Sequence, residues 1–429
     1  MKLNLGTFKV TDVVLGRGTS FADGVLTIDE QEIRDLVTQD SNLASVQADI
    51  VKPGEPKRII HVLDVIEPRI KLDSGLQSFP GFLSAPVTVG RGTTYRLSGA
   101  AVVESAELPW DAGGLLIPRE GIIDMVGPGR YYSPFHETIN VVLRFELARG
   151  RSDLEYDASV RLAGIKVSKY LAETVRSLTP DIMEVFSTEN RQSDLPNVVQ
   201  IHQYQSQGTY AHTYCYGKHM YENLPTVINP NEMIDGALVS GNFAYACFKT
   251  PTYLHCNNPV LLELYKGHGT RHNFAGVIIA RGHNYTFDEK LRSAQYAAKL
   301  AKELDAQGAV ITWEGGGNAV IEAMQTVKAC EELGIRTVII AYEMGGPKGD
   351  DVALLDSVEE ADAIVSAGSI EKRITLPPLT PVGGRELRLA KELGGIRVDA
   401  SASLKFDISH EMYCGANQTG FGLITAEDY

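Results

Sequence analysis

Between Phe274 and Leu376 the chain alternates apolar runs with stretches of helical periodicity, and this alternation restricts the fold more than any other feature. F-A-G-V-I-I-A (274–280) reads as a buried strand. A helix is predicted from Asp288, with Leu291, Ala294, Ala298, Ala301 and Leu304 on one face, then Gly308 and a second strand, A-V-I-T-W (309–313). Asn318 is placed to cap a second helix bearing Val320, Ile321, Met324 and Val327, which ends near Gly334 and leads into R-T-V-I-I-A-Y (336–342). A further strand is expected at A-D-A-I-V-S-A-G (361–368). Buried strands joined through helices require crossover connections, so residues 263–429 are predicted to form an α/β domain with a doubly wound, Rossmann-like parallel sheet.

Sites in such sheets lie beyond the carboxyl ends of the strands. Glu314, in W-E-G-G-G-N, falls there, with a helix N-terminus just behind it; general acid or base is its functional reading, and capping the helix its plain one. Tyr342 and Glu343 occupy the same position on the next strand. The three glycines do not form G-x-G-x-x-G after a first strand, which argues against nucleotide binding.

Residues 1–150 read as a mostly β domain: short alternating or β-branched runs are separated by Gly/Pro turns, with one helix expected at Asp29 to Thr38. Residues 151–262 form a mixed region that opens with a helical pattern from Asp153 to about Leu178. Within it Q-S-Q-G-T-Y-A-H-T-Y-C-Y-G-K-H-M-Y, which includes Tyr214, is dense in aromatic residues that either pack or form a cation–π cage. A charged helix is expected near the end, at Arg385 to Leu393.

A net charge of −14, without a basic block, argues against a nucleic-acid partner. No signal-like N-terminus or long apolar run is present, so a cytoplasmic protein without a membrane partner is expected. The five cysteines are scattered and read as reduced thiols. His268 and His272 have the i,i+4 spacing of metal ligands, but Gly267 and Gly269 disfavour the helix that spacing needs, and no metal is expected.

The remaining feature is Ala237 to Pro259, A-L-V-S-G-N-F-A-Y-A-C-F-K-T-P-T-Y-L-H-C-N-N-P, whose small residues, amides and prolines predict tight loops with buried polar groups. V-S-G-N (239–242), A-C (246–247), P-T-Y (251–253) and N-N-P (257–259) resemble the precursor subunits of component B of glycine, sarcosine and betaine reductases, with the D-proline reductase precursor a more distant relative. V-I-E-P-R, G-I-I-D-M-V-G-P-G and the closing C-G-A-N-Q extend the resemblance over the whole chain. In V-I-E-P-R, Pro68 holds Glu67 extended, and an ion pair between Glu67 and Arg69 is expected.

The resemblance implies chain splitting between an asparagine and a cysteine to leave a pyruvoyl group, an electrophile that captures a substrate amine. Here Phe243 follows Asn242. Phenylalanine offers neither a nucleophile nor a β-leaving group, so an unsplit chain without a pyruvoyl cofactor is expected, and Asn242–Phe243 reads as a degenerate processing position. What remains implied is a heteromeric reductase subunit acting on a small amino compound with a cysteine- or selenocysteine-bearing partner. Cys247, Glu314 and Asn242 are its catalytic candidates, and His136, Tyr214, Asn257 and Asn258 its substrate contacts. A non-catalytic binding subunit, or a hydrolase or lyase on the same fold, is the alternative.

Overall fold

The computed structural model describes all residues except 110–119, 207–211, 243–244, 347, 349–350, 352, 390–395, 422–424 and 427–429, and only the backbone of 425–426. Its mixed α/β architecture places β-structure first. A mixed sheet runs in the order Gly121–Asp124, Lys57–Ile66, Ala100–Ser105, Ile139–Leu147, Leu43–Val51. One of its faces is covered by the helices Glu30–Val37 and Asp153–Glu173 through Ile33, Val37, Tyr156, Val160, Ala163 and Leu171. The first helix starts where Asp29 accepts a hydrogen bond from the Gln31 amide, and the second where Ser152 and Glu155 form a reciprocal capping box.

A second sheet is built on five parallel strands, in the order Asn273–Arg281, Asn197–Tyr204, Gly308–Trp313, Arg336–Glu343, Ile364–Ser369. Antiparallel strands Thr226–Ile228 and Thr425–Ala426 close its two edges. The alternation read from the sequence is there: the helices Phe287–Glu303 and Ala319–Glu332 cross between parallel strands and bury alanine-rich faces on Ile311, Trp313 and Ile339. A central strand, Asn197–Tyr204, comes from the region assigned to 151–262, so this sheet takes strands from both sides of residue 263.

The C-terminal segment returns to the first half. Thr380–Val382 pairs in parallel with Lys57–Ile66, and Tyr413 enters the core of the first sheet beside Val62, Val65 and Phe135. The helix expected at Arg385 to Leu393 is instead a strand where it is described: Glu386–Arg388 pairs with Arg397–Asp399 and sends Leu387 into a core with Leu404 and Phe406. Burying Leu387 outweighs the helical propensity of that charged run. Among the described residues no helix is long and apolar enough to cross a membrane.

Candidate functional site

The loop-rich stretch from Ala237 folds as a two-residue strand, Leu238–Val239, paired with Tyr214–Cys215, then a 3-10 turn at Ala246–Phe248 and a short helix at Thr252–Cys256. Asn258 caps the next helix, Pro259–Gly267, by accepting from the Leu261 amide at 3.0 Å. Gly241 runs against the opposing chain so closely that a Cβ there would lie 2.1 Å from the His212 carbonyl oxygen. Phe243 lies outside the described residues.

Two buried polar networks meet along this stretch. In the first, Asp157 and Arg161, one turn apart on the Asp153–Glu173 helix, form an ion pair of 2.7 Å. The Arg161 guanidinium lies 4.5 Å above the Tyr214 ring, and its Nε donates to the Ser240 carbonyl at 3.3 Å. The Asn242 amide is held at both ends: Nδ2 donates to Asp157, and Oδ1 accepts from Lys249 Nζ at 3.0 Å. Thr252 donates to Asp64 from its amide at 2.9 Å and from its hydroxyl at 2.5 Å. Burial pushes the Asp64 carboxyl up to about 6, despite those hydrogen bonds. Glu104, buried with neither carboxyl oxygen hydrogen-bonded, is pushed well above the carboxylate range by desolvation and then by the Asp64 charge. Tyr214, Asn242, the three carboxyls of Asp157, Asp64 and Glu104 and the two cations Arg161 and Lys249 thus belong to one network.

The second network centres on Glu314, just past the carboxyl end of the Gly308–Trp313 strand. Its Oε2 accepts from the Gln205 amide at 2.8 Å and the Thr213 hydroxyl at 3.1 Å. Its Oε1 faces two imidazoles, with His202 Nε2 at 3.4 Å and His255 Nε2 at 3.3 Å. His202 comes from the Asn197–Tyr204 strand, and its Nδ1 sits 2.9 Å from the Thr312 hydroxyl. His255 comes from the Thr252–Cys256 helix, whose first residue belongs to the other network. All three side chains are fully enclosed. Desolvation raises the Glu314 carboxyl, but the opposing effects of His202 and His255 win and hold it below its ordinary value. Burial lowers His255 to about 4, so its ring is neutral at neutral pH. Glu314 is therefore an acceptor rather than an acid there. Among the described residues these three form the group whose donor atoms, all within 4.8 Å of one another, could hold a metal ion.

The other candidates fall in different places. Cys247 is buried among Trp313, Phe248 and Ala416, and burial raises its thiol well above the ordinary value, so little thiolate exists at neutral pH. Asn257 Oδ1 accepts from Arg69 and Arg96, each at 2.8 Å, beside a pocket of about 420 Å³. Asn258 reaches the second network through Gln200, whose amide nitrogen lies 3.3 Å from Asn258 Oδ1 and 3.2 Å from Thr312. His136 lines a separate open cleft of about 790 Å³ with Tyr131, Tyr132 and Arg373. So Tyr214 and Asn242 come together, Asn258 is joined to His202 only through Gln200 and Thr312, and His136 joins neither group.

Glu67 and Arg69 pair at 2.6 Å, as V-I-E-P-R suggested. The aromatic-rich run does gather rings, with His212 and Tyr221 centroids 5.1 Å apart, but its faces already carry cations: Arg161 covers Tyr214, and Arg281 lies 4.9 Å from Tyr221. His268 Nδ1 accepts from the Phe274 amide and His272 Nε2 meets the Leu264 carbonyl, so backbone groups, not each other, engage that pair. Sequence reasoning missed His202 and His255. Both sat in view, in Q-I-H-Q and Y-L-H-C, but only the strand order brings them to Glu314.

The family described as glycine/sarcosine/betaine reductase component B subunits matches residues 1–427. The chain is 38% identical over 438 residues to the glycine reductase complex component B subunits alpha and beta of Acetoanaerobium sticklandii. It is 36% identical over 451 residues to the betaine reductase complex component B subunit alpha of Peptoclostridium acidaminophilum, and 35% over 436 residues to the sarcosine counterpart from the same organism. Each alignment covers 100% of both chains. No solved structure matches the chain.

Proposed function

The chain belongs to the family of glycine/sarcosine/betaine reductase component B subunits, and from that premise we propose that it binds and orients a small amino compound for reductive C–N cleavage without a pyruvoyl group. The attacking thiol or selenol belongs to a cysteine- or selenocysteine-bearing partner subunit. In that step the partner's sulfur or selenium bonds to the carbon, the C–N bond breaks, and the amine leaves with its electron pair and takes up a proton.

The observation that carries this reading is Phe243 after Asn242, which lacks the thiol whose acyl shift and β-elimination would generate a pyruvoyl group. A substrate with a quaternary nitrogen cannot form a Schiff base, so it requires no such carbonyl; a betaine-like compound fits this chain better than a primary amine. Support also comes from the buried Cys247 thiol, which burial keeps protonated and therefore a weak nucleophile. Asn242, fixed from both ends, acts in this reading as a rigid amide that shapes the loop.

The test is to isolate the complex from the native host, weigh each subunit under denaturing conditions, and treat it with a carbonyl-specific hydrazide. One unsplit chain of 46.7 kDa that takes no hydrazide is expected. Betaine-dependent turnover should survive borohydride, and Cys247→Ser should retain it within about twofold. A split or hydrazide-labelled chain would overturn the pyruvoyl-free reading; a folded but inactive Cys247→Ser variant would return the thiol role to this subunit.

A further inference from the structure

We propose that His202, His255 and Glu314 form a site for one divalent transition-metal ion of the zinc class, bound by two imidazole nitrogens and one carboxylate oxygen. The inference goes beyond the reductase reading and does not depend on it.

The geometry is that of ligands around a small ion. Donor atoms at ~2.0–2.1 Å from a tetrahedral zinc lie roughly 3.3 Å from one another. Glu314 Oε1 lies 3.3 Å from His255 Nε2 and 3.4 Å from His202 Nε2. Those separations exceed the usual ~2.7–3.2 Å of a nitrogen–oxygen hydrogen bond. None of the three atoms makes a hydrogen bond of ordinary geometry in this enclosed space; their polar contacts are the long ones to one another. Buried polar atoms left so are costly, and a cation at their common focus satisfies all of them at once.

The outer contacts also suit ligation. His202 is turned by the Thr312 hydroxyl on its other ring nitrogen, and Glu314 by the Gln205 amide and Thr213 hydroxyl on its other oxygen. Such contacts orient metal ligands and leave the coordinating atoms free. Two nitrogens and one oxygen favour zinc, cobalt or ferrous iron over magnesium or calcium, which prefer oxygen throughout. The donors come from three places, a central strand, the end of its neighbour and the Thr252–Cys256 helix, so an ion would tie that helix to the sheet.

The experiment uses the full chain, purified without nickel or chelator, with zinc measured by mass spectrometry. After chelator treatment, Co²⁺ is titrated in and read by its visible d–d absorption. Near one zinc per chain is expected, and a tetrahedral cobalt spectrum without thiolate charge-transfer bands. His255→Gln and Glu314→Gln should each weaken cobalt binding by at least about tenfold. His268→Gln, outside the cluster, should not. A wild-type chain that binds neither zinc nor cobalt at about 100 μM, far above the range of structural sites, overturns the proposal. So does a cobalt spectrum dominated by thiolate bands, or a folded Glu314→Gln chain that binds as tightly as the wild type. Because the wild-type spectrum alone identifies the ligand type, a variant that fails to fold leaves a decisive measurement in place.

Discussion

Around the candidate site, side chains are held in place by buried charge and hydrogen bonds. Arg161 neutralises Asp157 with both groups at most 3% exposed, and it supports Tyr214 and Ser240 as well. Arg161→Met strands the Asp157 carboxylate and should cost roughly 3–5 kcal/mol, read as a lower urea midpoint; a loss below about 1 kcal/mol would mean water reaches the pair. His283 gives a pH prediction. Burial lowers its value to about 4 from 6.5, so the unfolded chain takes up the proton first. Its contribution is complete above pH 6.5 and lost as the pH falls toward 4, roughly 3 kcal/mol in all. His283→Gln should flatten that acid limb in urea titrations at successive pH values, and an unchanged slope would refute the assignment. At this scale the sequence was legible where partners are neighbours, as for Glu67 and Arg69. It marked Glu314 at a strand end but was silent for His202 and His255, because no local pattern marks residues that meet only through tertiary folding.

Among the elements, the five-residue helix Thr252–Cys256 does more than its length suggests. Its first residue anchors Asp64 and accepts from the Ser240 amide at 2.9 Å, while His255 faces Glu314. Thr252→Val removes both hydroxyl contacts and leaves buried groups unsatisfied, a cost of about 1–3 kcal/mol. The same change should weaken cobalt binding through the displaced His255, and a destabilised variant with intact cobalt affinity would show that the two networks are independent. Long elements with a clear period were readable: the alternating strands and helices from Asn273 to Glu343 follow the apolar pattern closely. The run after Arg385 was misread because its charged, leucine-bearing sequence suits a helix in isolation, and only the pairing with Arg397–Asp399 reveals the strand.

For the molecule as a whole, connectivity is interleaved. Ile182–Ser187 pairs with the N-terminal strand Lys2–Lys9, and Thr380–Val382 pairs with Lys57–Ile66. Composition and local pattern suggested three consecutive regions, but strand order is set by long-range packing that a linear reading does not contain. Heating should therefore give one cooperative calorimetric transition, and two well-separated transitions would mean that the halves fold independently. Gly164 carries a further consequence. A Cβ there would lie 2.1 Å from Glu104 Oε1, so the bare helix backbone is what lets that acid sit so deep, where burial pushes its carboxyl well above the ordinary carboxylate range. A neutral carboxyl among ionised ones absorbs infrared light at its own carbonyl frequency, apart from carboxylates and the amide backbone. At any pH below its raised titration point, Glu104 is therefore a native vibrational reporter set against the Asp153–Glu173 helix.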